Sequence, residues 1–436
     1  MIKNKGTYWI YLSLLITTVL WVMSKRSLSS ITVDPLISLN QISALLGTVL
    51  FAWTMILSTR LPILEDAFGG LDKVYHMHRK TGEYGFMFVL MHPFAIAFSF
   101  MDNFTSVFLP VHGKPPLTMG VISFWIFVYF VLATLFFRQL HIKYNIWKYT
   151  HLLLNVAMIV GFMHVLKVPS DTTRFAPLGL WIKGFMALGV MSGLYKTLLY
   201  RFVAPRYEYE ITEISKNGDT YDLRLQSVDP KRKISYKSGQ FAYVSFHSDA
   251  VSSEEHPFCI ASSHREDGIR FVIKQLGDFT NNMDGLAVGD RATIYGPYGR
   301  ISEKFYADPT KNAVFIAGGI GIAPFMAMFN CEETKNDKAG RKISLYYSTQ
   351  YKKDAVFNDE LNARVKSCDK LKYHNQCTRE GDGHLKISTI LAETDNPENT
   401  VFYLCANAKM MHELEKDLIA AGISKDRIVL EDFDMI

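Results

Sequence analysis

Apolar residues crowd the first two hundred positions of this chain and thin out abruptly afterwards. Runs from Thr7 to Met23, Leu36 to Leu57, Tyr84 to Phe100, Thr118 to Phe137, Thr150 to Leu166 and Pro177 to Tyr200 have roughly the 17–25 residues that cross a hydrocarbon core as a helix. The pattern therefore predicts six membrane spans. Bulky Trp21, Val22 and Met23 stand where a signal peptidase needs small residues, so the first run reads as a retained anchor. Pro205 marks a change of regime. From Tyr207 apolar positions alternate with a period of two (Tyr207, Tyr209, Ile211; Tyr221, Leu223, Leu225; Phe241, Tyr243) between Gly and Asp turns, which predicts an antiparallel β-barrel. After Asp308, strands at Ala313–Ala317, Ile343–Ser348, Leu371–Gln376, Val401–Cys405 and Arg427–Leu430 alternate with helical stretches, an α/β nucleotide-binding layout. The expected fold is multi-domain: a six-helix transmembrane bundle over 1–204, an antiparallel β-barrel over 205–305 and an α/β domain over 306–436.

Charge orients this arrangement. Lys3, Lys5, Arg60, Lys73, Arg79, Lys80, Arg138, Lys143, Lys148, Lys196, Arg201 and Arg206 fall on one side of the six runs, against Lys25, Arg26, Lys114, Lys167 and Arg174 on the other. The positive-inside bias then places both termini and the polar half in the cytoplasm of a multi-pass cell-membrane protein. The net charge of +5 is modest and no basic stripe suggests nucleic acid. All five cysteines lie in the polar half without metal-ligand spacing, which fits a reducing compartment.

Four histidines lie within the apolar runs or at their edges. His78 and His92 are fourteen residues apart, His151 and His164 thirteen, so each pair spans about 20 Å of helix. With the orientation above, His78 and His151 share the inner level, His92 and His164 the outer. A single intramembrane histidine serves as well for hydrogen bonding or proton relay, but two matched pairs need a common partner. Two stacked haems, each clamped by one histidine from each helix, satisfy all four. Fourteen residues return to nearly the same helical face, whereas thirteen miss it by roughly 140°. The second helix is therefore expected to be distorted, with Gly161 the candidate bend, and Pro93 frees a carbonyl in the first. Lys183, near the outer end of the last run, reads either as snorkelling to the surface or as pairing with an outer haem propionate.

In the polar half, GGIGIAP (Gly318 to Pro324) follows a strand and opens a helix, where glycines let the backbone approach a pyrophosphate. Three further stretches stand out in the barrel: SGQF (Ser238 to Phe241), HPFCIASS (His256 to Ser263) and KQLGDFT (Lys274 to Thr280). These resemble the FAD-binding motifs of the ferredoxin–NADP reductase superfamily, in the variant found in NADPH oxidases and ferric reductases. GPYG (Gly296 to Gly299), GGIGIAP and the terminal EDF (Glu431 to Phe433) are similar to that family's nicotinamide half, and the spaced histidines to its membrane half.

The resemblance implies FAD, two b-type haems and NADPH or NADH as cofactors. It places Gln240, His256, Pro257, Phe258 and Cys259 along the flavin, with Lys274, Gly277 and Thr280 toward the FAD phosphates. Gly318, Gly319, Gly321 and Pro324 would receive the nicotinamide dinucleotide, while Cys405, Cys259 and Phe433 would lie at hydride transfer, Phe433 covering the flavin. Ordinary core packing is the alternative for Phe258 and Phe433, and a surface loop for His256. Three positions depart from the family pattern: Cys259 replaces the usual Ser or Thr, a weaker donor toward flavin N5; Cys405 to Asn407 read CAN instead of CGP; and Gln350 stands where an arginine often meets the 2′-phosphate of NADPH. Lys352 and Lys353, or a Thr349 hydrogen bond, offer substitutes.

Together these parts lead to the expectation of an electron wire from NAD(P)H through FAD and the inner and outer haems to an acceptor outside, molecular oxygen giving superoxide or a ferric chelate, with His112 and Asp102 available to attract the metal. A membrane electron-transfer subunit serving a protein partner is the third reading. No calcium-binding or partner-docking extension is visible, so constitutive activity without an obligatory protein subunit is expected.

Overall fold

In the computed structural model, described over residues 5–99, 101–249, 251–330 and 340–431, the apolar runs become helices. Five are long and apolar enough to cross a membrane: Lys5–Met23, Pro35–Leu57, Pro115–Leu135, Ile146–Lys167 and Ala176–Val203. The remaining long helix, Leu71–Ser99, has 29 residues but carries Asp72, Lys73, Arg79, Lys80 and Glu83 in its first half, so its hydropathy falls below that of the others. It therefore begins well before the apolar run at Tyr84. This helix packs along Pro35–Leu57, and the two backbones come close because Gly85 faces Leu50 and Gly47 faces Val89, where a Cβ would meet atoms at 3.4 and 3.1 Å. Thr54 Oγ1 donates to Thr81 Oγ1 across that contact at 2.9 Å.

The distortion expected in the second histidine helix is present, but not at Gly161. The break is at Leu153, between helices Tyr144–Leu152 and Leu154–Lys167, where Leu153 N–H donates to Thr150 O, three residues back, at 3.0 Å. Such tightening adds rotation per residue, the direction needed to bring thirteen positions nearer one face. Gly161 instead serves close packing: a Cβ there would lie 3.0 Å from Ser123 Oγ.

The chain divides at Val203 and Ala204 into two compact units. In the second, six strands form an antiparallel sheet ordered β4-β3-β6-β1-β2-β5, comprising β1 (Arg206–Asn217), β2 (Thr220–Ser227), β3 (Phe241–His247), β4 (His256–Cys259), β5 (Ile269–Lys274) and β6 (Arg291–Tyr298). A bridge between Ile260 and Phe271 joins its two edges. The alternating positions of the sequence (Tyr209, Ile211, Leu223, Leu225) turn inward with Phe246, Phe271 and Ile294 to form its core.

Five parallel strands follow, β7 (Asn312–Gly318), β8 (Ile343–Thr349), β9 (Leu371–Cys377), β10 (Thr400–Cys405) and β11 (Ile428–Leu430), ordered β11-β10-β7-β8-β9. The chain winds outward from β7 in one direction and then from β10 in the other, leaving a crevice at the carboxyl ends of β7 and β10, where α/β sheets bind ligands. Cys368 is disulfide-bonded, a pairing that spacing along the chain does not reveal.

One buried ion cluster ties the two sheets together. Arg270 of β5 donates from Nε and Nη2 to Asp222 of β2 at 2.8 and 2.6 Å. From Nη1 and Nη2 it donates to Glu360 of helix Asn358–Lys366 at 3.0 and 2.9 Å. Burial alone would raise the Glu360 carboxyl, but Arg270 and Arg364 more than offset it and hold it below the ordinary range.

Candidate functional site

The membrane unit presents its histidines with one consistent polarity. Nδ1–H of His78 donates to Thr54 O at 2.8 Å, that of His92 to Asn40 O at 3.3 Å, and that of His164 to Pro116 O at 2.7 Å. His151 Nδ1 lies 3.0 Å from Thr134 Oγ1. The Thr134 hydroxyl proton is already directed to Phe130 O at 2.8 Å, so its oxygen accepts from His151. All four imidazoles therefore share the Nδ1–H tautomer, which leaves every Nε2 with a free lone pair, the state of a metal ligand whose orientation is set by an outer hydrogen bond.

Thr54 O is available because the Ser58 N–H that would cap it bonds to Met55 O and Ile56 O instead. Asn40 and Thr54 both belong to Pro35–Leu57, and Pro116 and Thr134 both to Pro115–Leu135. Each histidine helix is thus steered by one neighbouring helix.

The ring centres of His78 and His151 are 6.1 Å apart. An iron between two imidazoles separates ring centres by about 6 Å, two metal–nitrogen bonds of ~2 Å plus half a ring on each side. At the other level Gly120 faces His164: a Cβ there would lie 2.8 Å from the imidazole, so any larger residue would push the ring aside. Between the levels, Phe127 packs on Phe51 and Phe86 at 4.4 and 5.7 Å. Among the described residues no group of three or more His, Cys, Asp and Glu gathers as a bare metal ion would require. A porphyrin supplies four ligands itself and asks the protein for two. Lys183 is half-buried and makes no ion pair among the described residues.

In the second unit, pairing of β3 with β4 sets His256, Pro257, Phe258 and Cys259 opposite Val244, Tyr243, Ala242 and Phe241. The His256 ring stacks on Phe279 at 3.8 Å and 26°. Gln240 accepts from Lys237 N–H at 2.8 Å and donates to Gly299 O at 3.1 Å, which pins the SGQF turn against GPYG. Lys274 pairs with Asp219 at 3.2 Å. Thr280 Oγ1 accepts from the N–H groups of Leu276 and Gly277 at 2.9 and 3.1 Å, so KQLGDFT forms a turn closed on its own hydroxyl, with open space in front of Gly277.

The glycine turn after β7 occupies the crevice. Gly321 lies so close to β10 that a Cβ would come within 2.0 Å of Cys405 O, while Gly319, at φ +55°, faces open space. Pro324 opens the following helix, Ala323–Met328. Close packing on one side of the turn and room on the other is the form of a dinucleotide cradle.

The Cys259 thiol is pushed well up by burial, with Cys405 and Glu431 adding to the effect. Cys259 and Cys405, from different sheets, are thereby brought together. Phe433 lies outside the described residues. Gln350 and Lys352 are exposed at the end of β8. Beside them stands a residue that the sequence pattern did not single out. Arg379 N–H donates to Gln350 O at 3.0 Å, its Nη1 donates to Tyr351 OH at 3.3 Å, and Lys353 Nζ lies 5.5 Å from the same tyrosine ring. The parallel register of β8 and β9, Thr349 opposite Cys377, is the signal that would have found it.

An apolar helical unit followed by an FAD-binding sheet and an NAD-binding α/β sheet defines a membrane-associated, NAD(P)H-dependent flavin oxidoreductase. Residues 43–162 match the family of ferric reductase like transmembrane components. Residues 212–319 match an FAD-binding domain and 315–416 an oxidoreductase NAD-binding domain. This domain set matches that of the ferric reductase-like NADPH oxidase family, with a ferredoxin–NADP reductase-type soluble half.

Among curated relatives, sulfhydrogenase 2 subunit gamma of Pyrococcus furiosus is 24% identical, over 51% of this chain and 80% of that protein. One component of the Na(+)-translocating NADH-quinone reductase of Pseudomonas aeruginosa is 28% identical, over 36% of this chain and 40% of that protein. Flavohemoglobin from Malassezia yamatoensis, solved with bound FAD and heme, is similar in fold, with TM-score 0.50 and 20% identity over 81% of this chain and 97% of that one.

Proposed function

We propose that this protein carries electrons across the cell membrane from cytoplasmic NAD(P)H to molecular oxygen outside, as a superoxide-producing NAD(P)H oxidase. The reading rests above all on four imidazoles with Nδ1–H committed and Nε2 free, two of them at the spacing of a shared iron. When bound, FAD takes up a hydride's two electrons and releases them singly, and two b-type haems pass them on one at a time.

His78 and His151 hold the inner iron and His92 and His164 the outer, on the third and fifth of six spans. Bound by these four histidines, the haems would supply one-electron transfer toward an external acceptor. One NADPH yields one NADP⁺, one proton and two electrons, and the two electrons reduce two O₂ to two superoxide anions. His256, Pro257 and Phe258 flank the flavin. Cys259, kept neutral by burial, offers its S–H toward the ring. Nicotinamide would enter against Gly318, Gly319, Gly321, Pro324 and Cys405. Lys274 and Thr280 meet the FAD phosphates, for which Lys274 exchanges its Asp219 partner.

The adenosine end is read by Gln350, Lys352 and Arg379, the last supplying the guanidinium that the Gln350 position lacks. A charge-assisted contact of this kind contributes ~1.5–3 kcal/mol. Arg379→Ala is therefore expected to raise KM for NADPH about tenfold or more while leaving NADH kinetics unchanged; equal effects on both would remove Arg379 from this role.

The acceptor is tested with purified protein in nanodiscs. Cytochrome c reduction suppressed by superoxide dismutase is the expected result. Anaerobic ferric-chelate reduction at a comparable rate would make the protein a ferric reductase instead. Activity appearing only with another polypeptide would make it an electron-transfer subunit.

A further inference from the structure

We infer that the indole N–H of Trp147 holds a propionate of the inner haem, an inference that rests on the haem reading above. Trp147 lies one turn before His151 in helix Tyr144–Leu152, and its ring sits 5.3 Å from the His151 imidazole at 32°. Phe137 stacks on its other side at 5.1 Å and 26°, and Tyr144 lies 5.4 Å away, so the indole is fixed on three sides. Yet its Nε1 is buried and has no acceptor among the described residues. In the same unit Trp53, Trp125 and Trp181 donate to Ser13 Oγ, Phe108 O and Thr17 Oγ1 at 2.9 Å each, while Trp21 Nε1, far along the chain from the inner histidines, is buried without an acceptor as Trp147 is.

A buried N–H without an acceptor is destabilising, and a donor held this rigidly needs an acceptor delivered to it. The acceptor must be anionic or strongly polar, must come within one helical turn of the inner imidazole, and must arrive with a group that the polypeptide does not supply. A haem whose iron His151 would hold could bring a carboxylate to this donor and would meet all three conditions. The bond is charge-assisted. It tempers the carboxylate's negative charge near the iron and so favours the reduced state of the inner haem. Trp147 is on this reading a positioning and tuning residue, while His151 remains the ligand.

The test is spectroelectrochemistry and resonance Raman on full-length, haem-loaded protein, comparing the parent chain with Trp147→Phe. The expected result is an inner-haem midpoint shifted to more negative potential, corresponding to a roughly three- to tenfold change in the reduction equilibrium, with a displaced propionate bending mode and the outer-haem step unmoved. An inner midpoint and propionate mode identical to the parent's would overturn the assignment while leaving the haem reading intact. A parent protein without haem would instead overturn that reading. Should Trp147→Phe fail to retain haem, Trp147→His, which keeps a ring N–H, decides the matter. Retention by histidine alone supports the bond, and equal loss in both variants refutes it.

Discussion

Alanine in place of His78 or His151 is expected to remove one haem of the two and, with it, about half of the Soret absorbance. Loss of an outer hydrogen-bonding partner typically weakens a metal site 10–100-fold, so loss of the ligand itself should lower NADPH-driven reduction of an external acceptor by at least ~100-fold. Flavin reduction by NADPH, assayed with a soluble dye, should stay near the parent rate, because His256 to Cys259 and the Gly318 to Pro324 turn belong to the other unit. His92→Ala and His164→Ala should each remove the other haem. Variants that keep a full Soret band would show that these imidazoles do not ligate iron.

The second large effect concerns stability. Arg270 is 7% exposed in its side chain and its guanidinium serves two carboxylates, with Asp222 and Glu360 at 24% and 33%. Arg270→Ala leaves Asp222 without its cation and Glu360 with Arg364 alone, a change expected to cost about 3 kcal/mol. For a unit of this size each kcal/mol lowers Tm by roughly 2–4 °C, so a fall on the order of 10 °C is expected in the flavin-release transition of the full-length protein. The same cluster sets a pH dependence. The Glu360 carboxyl is held below its unfolded value, so its contribution is fully present above about pH 4.3. As the pH drops through the folded value that contribution is lost. Glu360→Gln should be less stable than the parent by a nearly constant margin from pH 7 down to about pH 4.3 and converge with it only below that, as the pH falls through the folded value; a gap that stays constant through that lower range would exclude the ionic account.

Much of this architecture is legible in the sequence because its signals are periodic. Alternation at Tyr207 to Ile211 and Tyr221 to Leu225 marks β1 and β2, and apolar runs mark the membrane helices wherever charge is absent. The helix from Leu71 is harder to bound, since charged turns precede its apolar half and hydropathy sees only the latter. The levels of the four histidines follow from counting, but the state of their nitrogens does not. That depends on Thr54 O being released by Ser58, and on Thr134 having already directed its proton to Phe130. The bend escapes a local reading because Gly161 is the residue with the lowest propensity, whereas tertiary packing places the break at Leu153. Arg270 and Arg379 act through partners tens of residues distant in the chain, which no local pattern encodes.

The central claim, one continuous path from nicotinamide to two bis-histidine haems, is tested most directly by titrating FAD-loaded, detergent-purified protein with NADPH under strict anaerobiosis while recording its absorption spectrum. The account predicts a Soret band that shifts on reduction and a sharp α band typical of six-coordinate haem, both unaltered by carbon monoxide and both appearing after the flavin bleaches. Flavin bleaching with no Soret band present, or with haem that stays oxidised, would contradict it.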